Sequence, residues 1–368
     1  IILTIGALAQ LGERKVRNLE VRGFDPPYAP PIGRFPQLVL RGWGVCFFIG
    51  GKMLKKVPFL LMLSASLIAF SAPLPCVRAK EAPKSVPLEA PFSYEGALWR
   101  LDAENAPGLP RNYRTCDDAY RAIPPRYAKE ASSRIPSCKG LSELHISGSS
   151  QYSEKGLDAI LADLRNRTQG PIVLVDLRQE SHGFVNGMPV SWYGKRNWAN
   201  REKGHFAVLA DEAQRIHALQ GQDVTLVRLK TDKRSASTMT VEAGQVLTEA
   251  ELAAQKGVMY VRFTATDHLW PDAGEIERFR RFVKTLPKDA WLHFHCVAGE
   301  GRTTAFMTMY DMLKNPDVPY EDIVLRQLRI GGVYTPFLGK GLSTWKKPIT
   351  GQRRGGLKRF IESFIRRR

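Results

Sequence analysis

"WLHFHCVAGEGRTTAF", residues 291–306, is the stretch whose reading decides the fold: an apolar run ends at a cysteine, breaks into small and glycine residues, and resumes with helix-forming spacing. It predicts a buried strand, a tight turn and a helix. Glycines at 299 and 301 permit a backbone path that turns successive amides inward, and the helix N-terminus adds positive potential, so the loop suits a dianion. Arg302 offers a planar fork for two phosphate oxygens. Cys296, set against amides and a guanidinium, is favoured as a thiolate nucleophile. Thr303 follows the arginine and can donate a hydrogen bond to the sulfur when it departs. A Cys and an Arg six positions apart occur by chance in many chains, so the weight rests on the strand before, the glycines within and the helix after.

A phosphomonoester also needs a proton for its leaving alkoxide. "TATDHLWPDAGEIERF" (264–279) supplies a candidate, because Asp267 follows a predicted strand and precedes Trp270-Pro271, a bulky, rigid pair able to carry a carboxylate on a closing loop. Working outward, helical spacing covers 153–167 behind Ser153, and 205–219, 274–286, 303–314 and 320–332. Strands are predicted at 171–178, 223–229 and 258–265, and the alternation indicates an α/β fold. The stretch 187–252 is long for a connection and reads as an inserted small subdomain. Residues 80–150 read as a loop-rich arm, 151–338 as the core, and 339–368 as a basic tail.

The net charge of +18 is concentrated at the ends. Residues 1–79 hold ten Lys/Arg against three Asp/Glu and residues 340–368 ten against one, leaving +2 between them. A nearly neutral body argues against a nucleic-acid partner. From Met53, two lysines precede an apolar run of about fifteen residues and a small-residue site near Ala79, the pattern of a signal peptide over 53–79. We therefore expect export to the periplasm or medium, with no stable membrane span after cleavage. Residues 1–52 lie ahead of that pattern and read as an upstream extension foreign to the mature protein. Cys116, Cys138 and Cys296 then remain; Cys116–Cys138 is a natural disulfide pair in an oxidising compartment, and free thiols are the equal alternative. Metal-ligand spacing is absent, so neither metal nor other cofactor is expected.

"HCVAGEGRTT" (295–304), "TDHLWP" (266–271), "DLRQESHGFVNGMPVSWYG" (176–194) and "LHISGSS" (144–150) together resemble the cysteine phytases, the protein-tyrosine-phosphatase-like inositol polyphosphatases of bacteria, over about residues 110–335. The resemblance implies a phosphatase core, a mainly parallel sheet flanked by helices, carrying a small inserted partial β-barrel. It implies Cys296 as nucleophile, Arg302 as phosphate clamp, Asp267 as general acid and His268 beside the leaving group. The phosphate loop would comprise His295, Val297, Ala298, Gly299, Glu300 and Gly301. Arg114, Asp176, Arg178, Lys340 and Lys346 become candidates for the substrate-facing rim. The implied substrate is a small polyphosphorylated molecule. Val297 and Glu300 depart from the family's usual residues, and a carboxylate at the loop rim should repel a neighbouring phosphate by about 1 kcal/mol when solvated. Two other readings share the loop: a protein tyrosine or dual-specificity phosphatase, and a catalytically silent phosphoinositide-binding module. Intact Cys296, Arg302 and Asp267 argue against the silent one.

Overall fold

The computed structural model describes residues 48–49, 52–53, 96–229, 236–337 and 344–365. The upstream extension, the signal segment after Met53 and Lys340 thus lie outside the described residues, apart from a strand pair in the first of two compact units, 1–78 and 79–368. That pair is β1 (Phe48–Ile49) and β2 (Lys52–Met53), antiparallel. The second unit runs β3 (Leu98–Leu101), β4 (Arg114–Thr115), β5 (Ile146–Ser150), α1 (Glu154–Arg165), β6 (Ile172–Asp176), β7 (His182–Val185), β8 (Met188–Tyr193), α2 (His205–His217) and β9 (Asp223–Leu229). It continues through β10 (Ala236–Glu242), β11 (Val246–Leu247), α3 (Glu249–Gln255), β12 (Met259–Arg262), α4 (Ala273–Thr285), β13 (Trp291–Cys296), α5 (Gly301–Lys314), α6 (Tyr320–Arg329) and α7 (Lys347–Ile365).

Five strands form the core sheet in the order β12-β6-β13-β5-β4. The first four are parallel and β4 is antiparallel at the edge. Every residue of β5, β6 and β13 is buried, as expected of strands covered on both faces. Register sets His295 against both Ser149 and Asp176, and Cys296 against Ser150. The nucleophile candidate thus stands at the carboxyl end of the central strand, the end where open parallel sheets bind ligands. Helix starts follow ordinary capping: the Ser153 hydroxyl accepts from Gly156 N, and the Asp272 carboxylate from Glu275 N.

A second, six-stranded sheet has the order β10-β9-β3-β8-β7-β11. It is antiparallel except where β3 meets β9. Its strands come from 182–247 and, unlike an insert confined to 187–252, also from 98–101. Among the described residues the pairing stops at β10 and β11, so the sheet is open-edged. It has its own apolar cluster, including Leu101, Val190, Ile216, Leu226 and Val246.

The predicted elements sit near their expected places with shifted ends. Strands expected over 171–178 and 258–265 stop at Asp176 and Arg262, because the chain there leaves the sheet to deliver site residues. The helix expected from 303 begins at Gly301, and the one expected to reach 332 ends at Arg329, ahead of Gly331 at φ 111°. Of the two cysteine readings the free-thiol one holds: Cys116, Cys138 and Cys296 are all free. Cys116 is buried beneath β5, where the Ile146 amide approaches its sulfur at 3.5 Å and burial pushes the thiol up to about 12, while Cys138 is exposed.

Candidate active site

Cys296 closes β13 and is 3% exposed, at the floor of a cavity of about 530 Å³. The loop above it is held by its carbonyls. Val297 O accepts from Gln151 N at 3.2 Å, Ala298 O from Asn112 Nδ2 at 2.8 Å, and Gly299 O from Arg114 Nη1 at 2.8 Å. With three consecutive carbonyls engaged by the surrounding protein, the loop amides are left for a ligand. Gly299 sits at φ 69°, and a Cβ there would fall 2.3 Å from the backbone carbon of Ser149, so no other residue fits without moving β5. Thr303 Oγ1 donates to Cys296 Sγ at 3.2 Å.

Arg302 is fixed before any phosphate arrives. Its Nη1 and Nη2 donate to the two oxygens of Glu180 at 2.8 and 3.0 Å, and Nη1 also reaches Ala265 O at 3.1 Å. Nε makes no hydrogen bond among the described residues and lies 3.5 Å from Asp267 Oδ1. Glu180 is fully buried and also accepts from Arg178 Nε and Asn197 Nδ2, at 2.9 and 2.8 Å. Burial would raise its pKa, but the charges of Arg302 and Arg178 outweigh that and hold it well below the usual carboxylate range.

Asp267, 23% exposed at its side chain, faces the same cavity. Burial pushes its carboxyl up, and the Arg302 charge, followed by His268, more than reverses this, so the group lies below its ordinary value. A dianion seated on Arg302 would cancel much of that charge and restore the acid form. His268 occupies the left-handed region at φ 68°, and burial lowers it to about 4 against the opposing pull of Asp267. The Asp267 carbonyl accepts from Trp198 Nε1 at 2.8 Å.

The structure brings Cys296, Val297, Ala298, Glu300, Gly301, Arg302, Asp267, His268 and Lys346 to the wall of one cavity. His295 and Gly299 lie behind it. His295 is buried with Nε2 2.6 Å from Glu249 Oε1. Three rim candidates are corrected. Arg114 is 1% exposed and braces the loop from behind, bonding Gly299 O and Thr304 Oγ1. Asp176 is fully buried, accepting from Tyr260 OH at 2.7 Å with Arg262 Nε 3.3 Å away. Arg178 is spent on Asp102, Gln151 and Glu180. Asp176 and Arg178 are held in buried ion pairs, whereas Arg114 has, among the described residues, only carbonyl and hydroxyl oxygens as hydrogen-bond partners and burial lowers it to about 10.

Residues not singled out from the sequence complete the cavity: Arg100 from β3, Arg126, and Arg353 from α7. Glu180 lay within the quoted "DLRQE" block, but nothing local marked it as the partner of an arginine more than a hundred residues away. One donor group could suit a metal, because Asp176, His182 and Glu249 bring ligand atoms within 4.8 Å of one another, all buried. Arg262 already contributes positive charge there, and Asp176 and Glu212 hold His182 well above its ordinary value in spite of burial, so the cluster is an ion-pair network joining the two sheets.

A strand, a cysteine loop and a helix seated on a parallel sheet, with an arginine locked to a buried glutamate, define the cysteine-dependent phosphatase fold. Residues 175–314 match the family model of the protein-tyrosine-phosphatase-like phytases, described as inositol hexakisphosphate. The myo-inositol phosphatase of Mitsuokella multacida, solved with myo-inositol-(1,3,4,5)-tetrakisphosphate, is 40% identical at a TM-score of 0.69, over 74% of this chain and 46% of that one. A phytase from Bdellovibrio bacteriovorus is 28% identical at 0.58, covering 77% of this chain and 92% of its own. The effector protein hopD2 of Pseudomonas syringae pv. tomato is 31% identical over 232 residues, 61% of this chain and 48% of that protein. Residues 175–314 thus carry the likeness to the protein-tyrosine-phosphatase-like phytases, and the chain spans about half the length of the Mitsuokella and Pseudomonas relatives.

Proposed function

We propose that the protein hydrolyses phosphomonoesters of myo-inositol polyphosphates through a cysteinyl-phosphate intermediate, and that it acts after export directed by residues 53–79. The observation that carries the reading is one cavity holding a cysteine under a loop whose carbonyls are bound by the surrounding protein, an aspartate beside the loop arginine, and a lining that includes Arg100, Arg126, Lys346 and Arg353. A single phosphate would need only the loop. Arg126, Lys346 and Arg353 suit a ligand with several phosphates, while Arg100 is also held by Asp102 at 2.6 Å. The inositol tetrakisphosphate bound by the Mitsuokella relative supports the same substrate class.

In the first step the Cys296 sulfur attacks phosphorus and the bond from phosphorus to the inositol oxygen breaks. Asp267 gives its proton to that oxygen, and the loop amides with Arg302 hold the equatorial oxygens. In the second step water attacks phosphorus, Asp267 takes the water proton, and the sulfur leaves as a thiolate stabilised by the Thr303 hydroxyl. Glu180 keeps the guanidinium in plane throughout, so little reorganisation is left for the reaction itself.

The test is phosphate release by reduced, purified protein from inositol hexakisphosphate, a phosphotyrosine peptide and a phosphoinositide headgroup, each beside Cys296→Ser. Inositol hexakisphosphate is expected to be the preferred substrate. Preference for the peptide by orders of magnitude would overturn the substrate assignment, and activity retained by the serine variant would overturn the mechanism. N-terminal sequencing of the mature protein is expected to begin near Lys80; a start upstream of Met53 would refute export.

A further inference from the structure

Helix α7 contains Gly355 and Gly356 in its interior, each costing about 1 kcal/mol of helix propensity relative to alanine. The two glycines differ in their surroundings. A Cβ on Gly355 would meet only the tip of Arg359, at 3.1 Å. On buried Gly356 it would stand 2.4 Å from Cδ2 and 2.5 Å from Cγ and Cε2 of Trp270, so the indole rests directly on the helix backbone. Trp270 lies three residues after Asp267 in the same turn.

The seat itself is firmly placed. Leu357 and Phe360 of α7 are buried in the main core cluster, against which Trp270 packs. Arg280 of α4 lies 5.0 Å over the Phe360 ring and donates to Ser363 Oγ at 3.1 Å. At the other end of the turn, Trp345 meets the His268 ring edge-on at 5.2 Å and Trp198 at 6.0 Å. Trp198 in turn holds the Asp267 carbonyl. His268 keeps its left-handed backbone at a cost of order 1 kcal/mol, which persists only where neighbours over-determine the conformation.

We propose that Gly356 is a positioning residue: it seats the Trp270 indole and through it keeps Asp267 aimed at the leaving-group oxygen. This rests on the phosphatase reading and assigns to the C-terminal helix a part in proton transfer besides the cation, Arg353, that it brings to the cavity. A side chain at 356 displaces the indole, so the loss falls on substrates whose leaving group needs a proton.

The experiment compares an alkyl phosphate, inositol hexakisphosphate, with dinitrophenyl phosphate, whose phenolate departs unprotonated. Gly356→Ala is expected to lower kcat/KM, which reports formation of the cysteinyl phosphate and not its Asp267-assisted hydrolysis, about 10- to 100-fold on the alkyl substrate and less than about threefold on the aryl substrate. In an Asp267→Asn background it should add little. Gly355→Ala is expected to leave both rates unchanged. Equal losses on both substrates, or no loss, would overturn the proposal. If Gly356→Ala does not fold, Trp270→Ala, which empties the seat, must show the same selective loss or the proposal fails. Wild-type inactivity on inositol hexakisphosphate would instead refute the substrate assignment. The comparison would then be made on a phosphoserine peptide, and an equal loss or no loss there would still sink the role of Gly356.

Discussion

The two walls of the cavity are built on different plans. The phosphate loop is continuous in sequence, and its shape is fixed by one left-handed glycine and three carbonyls bound from behind. The facing wall is assembled from Arg100, Asp267, His268, Lys346 and Arg353, which come from three separate stretches of the chain. Chemistry common to every phosphate monoester can be entrusted to a contiguous motif. Choice among substrates depends on elements that meet only in three dimensions.

The contrast can be broken most severely at the loop. Cys296→Ser should cut phosphate release by about 10⁴-fold or more, measured as single-turnover kinetics, with the fold intact by circular dichroism. Next, Glu180→Gln leaves Arg302 buried against a neutral partner and should cost about 3–5 kcal/mol of stability in urea unfolding. The sign with pH follows from its depressed pKa: the stabilisation is present above the ordinary value of 4.5 and is lost as pH falls through the lower folded value. Urea midpoints measured down the acid range should therefore fall less steeply in the variant than in wild type. Gly299→Ala, forced against Ser149, should cost about 1–3 kcal/mol and lower kcat on every substrate alike. The facing wall should respond more gently and selectively. Lys346→Ala is expected to raise KM for inositol hexakisphosphate about fivefold, near 1 kcal/mol, with KM for dinitrophenyl phosphate unchanged.

The same division decides how much was legible beforehand. The run 291–306 revealed its strand, turn and helix because hydrophobic burial, glycine conformation and helix initiation act over neighbouring residues. Asp267 could be singled out because Trp270-Pro271 stand beside it in sequence. Arg114 and Arg178 carried the right charge but were placed on the rim, because nothing local shows that Gly299 O, Thr304 and Asp102 await them inside. Arg353 lies in the stretch that reads from sequence only as a basic tail. Its helix docks through Leu357 and Phe360, two apolar residues in a basic context whose partners lie on distant elements.

β3 carries a practical consequence for anyone choosing expression boundaries. It sits in the middle of the six-stranded sheet, between β9 and β8, and delivers Arg100 to the cavity, while nearby β4 holds the arginine beneath Gly299. A fragment begun near 151, where the regular helix and strand alternation sets in, would split that sheet and unseat the loop. Any trimmed version meant to stay active must start ahead of residue 98.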